Sequence, residues 1–392
     1  MFKWILLFMS VSLTSYANVY YVDRQHPKAL DSNPGTESLP WKTPYAWINR
    51  VVAGDTVLVK AGNYDVTAGG TWSKPALNPK NEGKPDMPIT FKAYPGHKVV
   101  LNGRLSTIGS NNRDYIIVDG FTVVKGHITV FGGFERVKGV VIRNNTVSDK
   151  PCRGRDNCEA VRIEKASNII ARNNRIFNLS NPDQASNASG FKVYSMDHSV
   201  IENNEIWNVA QGMYIKRDAV LNHIRYNYIH DVSHIGISVL GHISGDPHKD
   251  NRVHGNIVSN SGYQGMYIAG TSPSNQNTMI YNNVVANAKK VAYAFSSQAI
   301  NAQAWNNISY KSPVSGLNGA KPPFGYCDYN LYFMSSGKCG THIVLSDPKF
   351  VGTSLKRPED FKLQSISPAK GAGRNGEDIG AYASGSEVIG VW

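Results

Sequence analysis

At 392 residues the chain is long enough for two or three ordinary domains, and its formal charge of +12, from 41 Lys and Arg against 29 Asp and Glu, favours a polyanionic partner. No zinc finger, helix-turn-helix or aromatic RNA-binding signature accompanies that charge, so an acidic polysaccharide is the expected partner and nucleic acid is not. Beyond the N-terminus no segment is long and apolar enough to span a bilayer, which argues against a membrane partner.

Met1 to Ala17 holds Lys3, an apolar run from Trp4 to Val11, and Ser15-Tyr16-Ala17, the small-x-small pattern of a cleavage site. This predicts a secretory signal peptide over 1–17 and a mature chain over 18–392, soluble in the periplasm or outside the cell. In an oxidising compartment the close pairs Cys152 with Cys158 and Cys327 with Cys339 are expected to form disulfides, since no His or Cys completes a zinc-type spacing around either.

Val19 to Val22 reads as a first strand, and Asn33-Pro34-Gly35 as a loop. Pro44 to Val51 has the pattern of a short amphipathic helix, placed to cover the open end of a solenoid, and Gly54 to Val59 is a second strand. Residues 65–87 are polar and rich in Gly and Pro, as in a long surface loop. From about Ile89 to Tyr332 the chain repeats. Asn145, Asn174, Asn204, Asn227, Asn256, Asn283, Asn307 and Asn330 recur at spacings of 23 to 30 residues, each followed by a short β-type run. Units this short, rich in Val, Ile, Tyr and Asn, are coils of a β-solenoid and not helix pairs. The Asn is expected at a corner between strands, where it tolerates left-handed backbone and its amide can bond the next coil. The fold class is therefore all-β: one single-stranded parallel β-helix, with an N-terminal capping helix and an irregular C-terminal wrap.

The opening Tyr20-Tyr21-Val22, Asn33-Pro34-Gly35-Thr36, Pro40-Trp41-Lys42-Thr43 and Gly54-Asp55-Thr56-Val57 resembles the N-terminal signature of secreted right-handed β-helix proteins of the pectate-lyase-like superfamily. The close, Asp347-Pro348-Lys349-Phe350 through Asp378-Ile379-Gly380-Ala381-Tyr382, is similar to the C-terminal signature of the same group. The resemblance implies a right-handed parallel β-helix and leaves chemistry open among lyases, hydrolases, epimerases and non-catalytic surface proteins.

A second strand family aligns on a small residue: Ala160, Gly190, Gly212, Gly236 and Gly265. Period-two alternation sends Val161, Phe191, Met213, Ile237 and Met266 inward, with Ile163, Val193, Ile215, Val239 and Ile268. The outward rows are then Arg162, Lys192, Tyr214, Ser238, Tyr267, and Glu164, Tyr194, Lys216, Leu240, Ala269. With strands about 4.8 Å apart, Arg162, Lys192 and Tyr214 should share a patch of roughly 10 Å, bordered by Arg217, Asp218, His198 and His242. Arg and Lys bind carboxylates and Tyr rings stack on sugar faces, so this face is the candidate groove for a polyuronate. For β-elimination the candidates are Lys192 or Lys216 as base, Arg217 or Arg162 as neutraliser of the substrate carboxylate, and Tyr214 or His198 as proton donor. Glu164, Tyr194, Ser238, Tyr267 and His242 are candidate substrate contacts. Mutual repulsion among Lys192, Lys216 and Arg162 is expected to lower a lysine pKa.

Gly212-Met213-Tyr214-Ile215-Lys216-Arg217 is similar to the Gly-x-Leu-x-Leu-Arg-His segment of the alginate lyase and chondroitinase B family, and this places Arg217 on that family's catalytic arginine. There the preceding coil carries acidic calcium ligands and a lysine. Here that strand, Gly190 to Tyr194, has no carboxylate, His198 falls near the lysine's place, and Lys192 can stand in for the metal's charge; calcium is thus a possible cofactor and no other is expected. Asp246-Pro247-His248 resembles a motif of mannuronan C5-epimerases, but a plain turn, with Pro fixing the backbone, is the better reading. Glu159, Glu164, Asp218 and Asp246 are the carboxylates a hydrolase would need. His230, His234, His242, His248 and His254 have no ligand spacing and read as structural or solvent-facing. The expected activity is a secreted, monomeric polysaccharide lyase. A C5-epimerase or glycoside hydrolase of the same fold, or a non-catalytic glycan-binding protein, are its alternatives.

Overall fold

The computed structural model describes residues 17–152, 157–180, 188–241, 248–270, 275–317 and 324–391; the signal-peptide reading of 1–17 and the candidates His242 and Asp246 lie outside them but for Ala17. The chain coils into three long parallel sheets. The first, of 12 strands, runs from Val19–Val22 to Phe324–Asp328, and the second, of 11, from Gly62–Val66 to Leu331–Phe333. The third runs from Ser106–Asn111 to Val291–Phe295 and carries the candidate site. Val19–Val22 pairs directly with Thr56–Val59, so the first sheet begins well before Ile89.

The predicted N-terminal helix is not there. Pro44–Trp47 forms one turn of 3-10 helix, and no α-helix occurs among the described residues. Pro44 suits a first helical position, but the turn ends once Trp47 is seated. Trp47 is fully buried against Phe91, ring centroids 4.7 Å apart, and that packing sets where the chain goes next.

All eight repeating asparagines are in one buried ladder. Asn174 Oδ1 accepts from the backbone N (3.0 Å) and Nδ2 (3.1 Å) of Asn145, and the same pair of bonds links each Asn to the next as far as Asn330. The left-handed residue is not the ladder Asn but its predecessor: Asn144, Asn173, Asn203, Tyr226, Gly255, Asn282, Asn306 and Tyr329 all have positive φ. The predecessor turns the corner and the ladder Asn points inward, which divides between two positions the roles expected of one.

The small residue opening each third-sheet strand also has a packing reason. A Cβ on Gly212 would lie 2.5 Å from Gly236 O and 2.6 Å from Ile229 Cγ2, and one on Gly236 would lie 2.4 Å from Val258 Cγ1. The second and third sheets meet too closely there for a side chain. Both expected disulfides are present, each with its Cα atoms 5.7 Å apart.

Candidate functional site

The third sheet aligns its strands in the register the alternation predicts. Arg162 pairs with Lys192, Lys192 with Tyr214, Tyr214 with Ser238 and Ser238 with Tyr267; Glu164, Tyr194, Lys216, Leu240 and Ala269 form the parallel row. Their neighbours Val161, Ile163, Phe191, Val193, Met213 and Ile215 are fully buried in the core.

The outward face is nevertheless not a plane of solvated side chains. Lys192 has no exposed surface at all, and Arg162 only 6 %. Arg162 Nε lies 3.1 Å from Glu164 Oε2 and its Nη1 3.4 Å from Glu159 Oε1, while the exposed indole of Trp72 covers its guanidinium at 4.8 Å. Its charge is thus already neutralised by two carboxylates, and it holds structure around the site more readily than it takes a substrate carboxylate.

Arg217 and Lys216 are placed differently. Arg217 sits in the left-handed region at the end of strand Gln211–Lys216, over the Tyr194 ring at 4.9 Å, with Nη1 3.6 Å from Glu164 Oε1 and its side chain 38 % exposed. Lys216 Nζ lies 4.7 Å from the Tyr214 ring and 5.0 Å from that of Tyr194, half-buried. Burial first, then Arg217 and Arg162, lower the Lys216 pKa. Burial and the neighbouring Tyr267 raise that of the Tyr214 phenol, which keeps it protonated and makes it a weaker acid than a free phenol.

Behind this pair lies a buried cationic layer. Lys192 Nζ donates to Asn157 Oδ1 at 3.0 Å, and its pKa falls to about 8. Burial is the chief cause; Glu159 opposes it, and Lys216, Arg162 and Lys150 add repulsion. The mutual repulsion inferred from the sequence therefore acts, but after desolvation. Lys150, which the strand alignment did not reach, donates to Glu159 O at 2.8 Å and lies 2.8 Å from His127 Nδ1. Burial lowers Lys150 to about 8 as well, and burial with Lys150 beside it drives His127 well below its usual value. Lys150 stands two residues before Cys152, so the Cys152–Cys158 disulfide that ties its strand to Glu159 was the available clue.

His198 lies four residues past Tyr194, beyond the end of strand Ala188–Asp197, exposed and 3.3 Å from Asp197 Oδ1. Ser238 is buried, its Oγ 3.4 Å from Gln211 Oε1. Asp218 and Asp197 are both held by Arg136. The remaining histidines do other work: His230 stacks 4.4 Å from Tyr228 and pairs with Asp231, His234 stacks on Tyr263, and His248 is buried with Nδ1 against Arg217 O. Burial lowers His248 to about 4.

Unsatisfied buried atoms gather here. Glu159 Oε2, Ser189 Oγ, Arg217 Nε, Asp218 Oδ1 and His248 Nε2 have no hydrogen-bond partner among the described residues. Such atoms are costly unless a ligand or water completes them. The residues do not fit calcium: Glu159 and Glu164 are the carboxylates nearest the groove, and Arg162 and Arg217 already claim them. No cluster of three or more metal-ligating side chains occurs among the described residues.

Residues 100–285 match the model of the right-handed β-helix region. The chain folds as a right-handed parallel β-helix. Pectate lyase Pel9A superposes with a TM-score of 0.65 at 16 % identity, covering 94 % of this chain and 96 % of that one. The GH136 lacto-N-biosidase from Eubacterium ramulus superposes with a TM-score of 0.59 at 14 % identity, covering 84 % and 68 %. A curated relative, the uncharacterized protein YwoF of Bacillus subtilis, is 27 % identical over 114 residues; the match spans 26 % of this chain and 22 % of that protein. A lyase and a glycosidase thus share this fold. No helix among the described residues is long and apolar enough to cross a membrane.

Proposed function

We propose that the chain is a secreted or periplasmic polysaccharide lyase, acting as a monomer on a uronate-containing polymer by β-elimination. Arg217 neutralises the substrate carboxylate, Lys216 takes the C5 proton, and Tyr214 protonates the oxygen leaving C4. The C5–H and C4–O bonds break, a C4=C5 double bond forms, and the abstracted proton stays on Lys216 until solvent removes it. The observation that carries this reading is the adjacency of Lys216, Arg217 and Tyr214 at the accessible edge of a buried cationic layer. A lowered Lys216 pKa raises the fraction of neutral amine, and the fixed positive field behind it favours the carbanion-like charge that develops next to the carboxylate.

The two disulfides suit an oxidising compartment, and a formal charge of +12 suits an acidic polymer. Hydrolysis is the weaker reading because Glu159, Glu164 and Asp218 are each paired with an arginine and do not flank an open bond site. The test is ultraviolet absorbance of the conjugated C4=C5 product across a panel of acidic glycans. A rise with one polymer, abolished in Lys216→Ala and strongly reduced in Arg217→Ala, is expected. Reducing ends without that absorbance would make it a hydrolase, and binding with neither product would make it a glycan-binding protein.

A further inference from the structure

A second cleft lies on another face of the molecule. The C-terminal segment folds back over the outward face of the first sheet and leaves a cavity of about 570 Å³. The floor is a stack of rings, one per coil: His254 and Tyr281 at 4.6 Å and 3°, then Tyr281 and Trp305 at 4.6 Å and 1°. Rings stacked face to face up the axis turn their edges to the cleft, and aromatic edges carry positive charge that attracts oxygen lone pairs.

The wall is held firmly. Asn306 Oδ1 accepts from Arg374 N at 2.7 Å, Asn306 Nδ2 donates to Glu377 Oε2 at 3.1 Å, and Gly390 N donates to Tyr226 O at 2.9 Å. The Arg374 guanidinium lies 5.3 Å from the Trp305 ring. Glu387 Oε1 accepts from Ser384 N at 2.8 Å, while its Oε2 is buried in the cleft wall with no partner among the described residues. Burial, then Arg225, His223 and Arg252, lower His254 to about 3, so its imidazole is neutral.

The charges lining the cleft balance: Arg252 and Arg374 face Glu377 and Glu387. A site of this kind offers donors and acceptors together and no net charge. A carboxylated sugar gains nothing from it over water, because the two glutamates oppose what the two arginines attract. A neutral sugar hydroxyl, donor and acceptor in one group, can meet both. The volume falls within the range of small-ligand sites. We infer that the cleft between the His254–Tyr281–Trp305 stack and the C-terminal wall is a non-catalytic binding site for a neutral oligosaccharide, with Glu387 and Arg374 as its polar contacts. A protein with both sites would hold a glycan by its uncharged units on one face while another face meets acidic ones.

The test is calorimetric titration of the intact chain with neutral xylo-, manno-, gluco- and galacto-oligosaccharides of roughly two to four units. At least one series is expected to bind at one site per chain. Arg374→Ala and the isosteric Glu387→Gln should each weaken it by about tenfold or more. Lys216→Ala, in the other groove, should leave it unchanged. The inference is overturned if no neutral series binds, if binding survives both wall substitutions, or if Lys216→Ala removes it. None of these outcomes depends on whether the third-sheet groove is a lyase.

Discussion

Replacing Lys192 with Met removes a charge buried behind the reactive groups, and the pH dependence of stability should report it. Folding lowers the Lys192 pKa from 10.5 to about 8. The difference corresponds to about 3 kcal/mol of unfavourable charge burial. Below pH 8 the lysine is protonated folded and unfolded, and the full penalty is present. Between pH 8 and 10.5 the unfolded chain keeps a proton that the folded chain has released, so stability rises with pH by about 3 kcal/mol. Lys192→Met has no such rise. Lys150 also titrates near 8 and repels Lys192, so the difference between the two proteins reports Lys192 together with its coupling to Lys150. Urea denaturation followed by tryptophan fluorescence from pH 7 to 10 measures it. Wild type should gain on the variant by about 2 kcal/mol or more over that range. Parallel profiles would refute the reasoning, for they would mean that the ammonium is either hydrated or fully compensated by Glu159.

Turnover should rise with pH along a limb below the ordinary lysine range, set by Lys216; Lys216→Ala should lose the limb together with the activity. Arg217→Ala should lower kcat/KM by about 10²-fold or more, with partial recovery in Arg217→Lys. In its residual activity the limb should move to higher pH, because removing a cation lets the Lys216 pKa climb. Activity should survive EDTA, since the carboxylates by the groove are paired with arginines; a loss restored by calcium would contradict this. Asn227→Ala breaks buried bonds to Ile201 O, Asn204 and Asn256 and should cost about 3 kcal/mol or more, whereas Asn208→Ala, on an exposed amide row, should cost under about 1 kcal/mol in the same denaturation assay.

The coil repeat, the inward ladder and the register of the third sheet were legible because each depends on residues a fixed distance apart, and one alignment determines them all. Burial of the outward face was not. Lys192 and Arg162 sit on the strand face expected of them, but whether that face meets water depends on Trp72, which arrives from an irregular loop, and on Asn157, which precedes the strand. The N-terminal helix failed for a related reason: local amphipathicity was overridden by the burial of Trp47. Lys150 and His127 escaped notice because they come from two other strands and meet only in space.

The amide ladder has a direction. Each Asn gives its backbone N–H and its side-chain amide to the amide oxygen of the Asn in the coil that follows, while the same amide also reaches a backbone oxygen of the coil before, so a rod ended after any coil finishes on a backbone N–H that lacks its acceptor. At the last rung the Asn330 amide keeps the backward bonds that inner rungs also make, to Ala304 O at 3.3 Å and Asp328 O at 2.9 Å, and Val344 N closes on Asn330 O at 3.1 Å. The rod therefore has unlike ends. A chain emerging from its N-terminus always carries an unfinished tip, which the next coil to form, or a second unfinished chain, is equally equipped to complete.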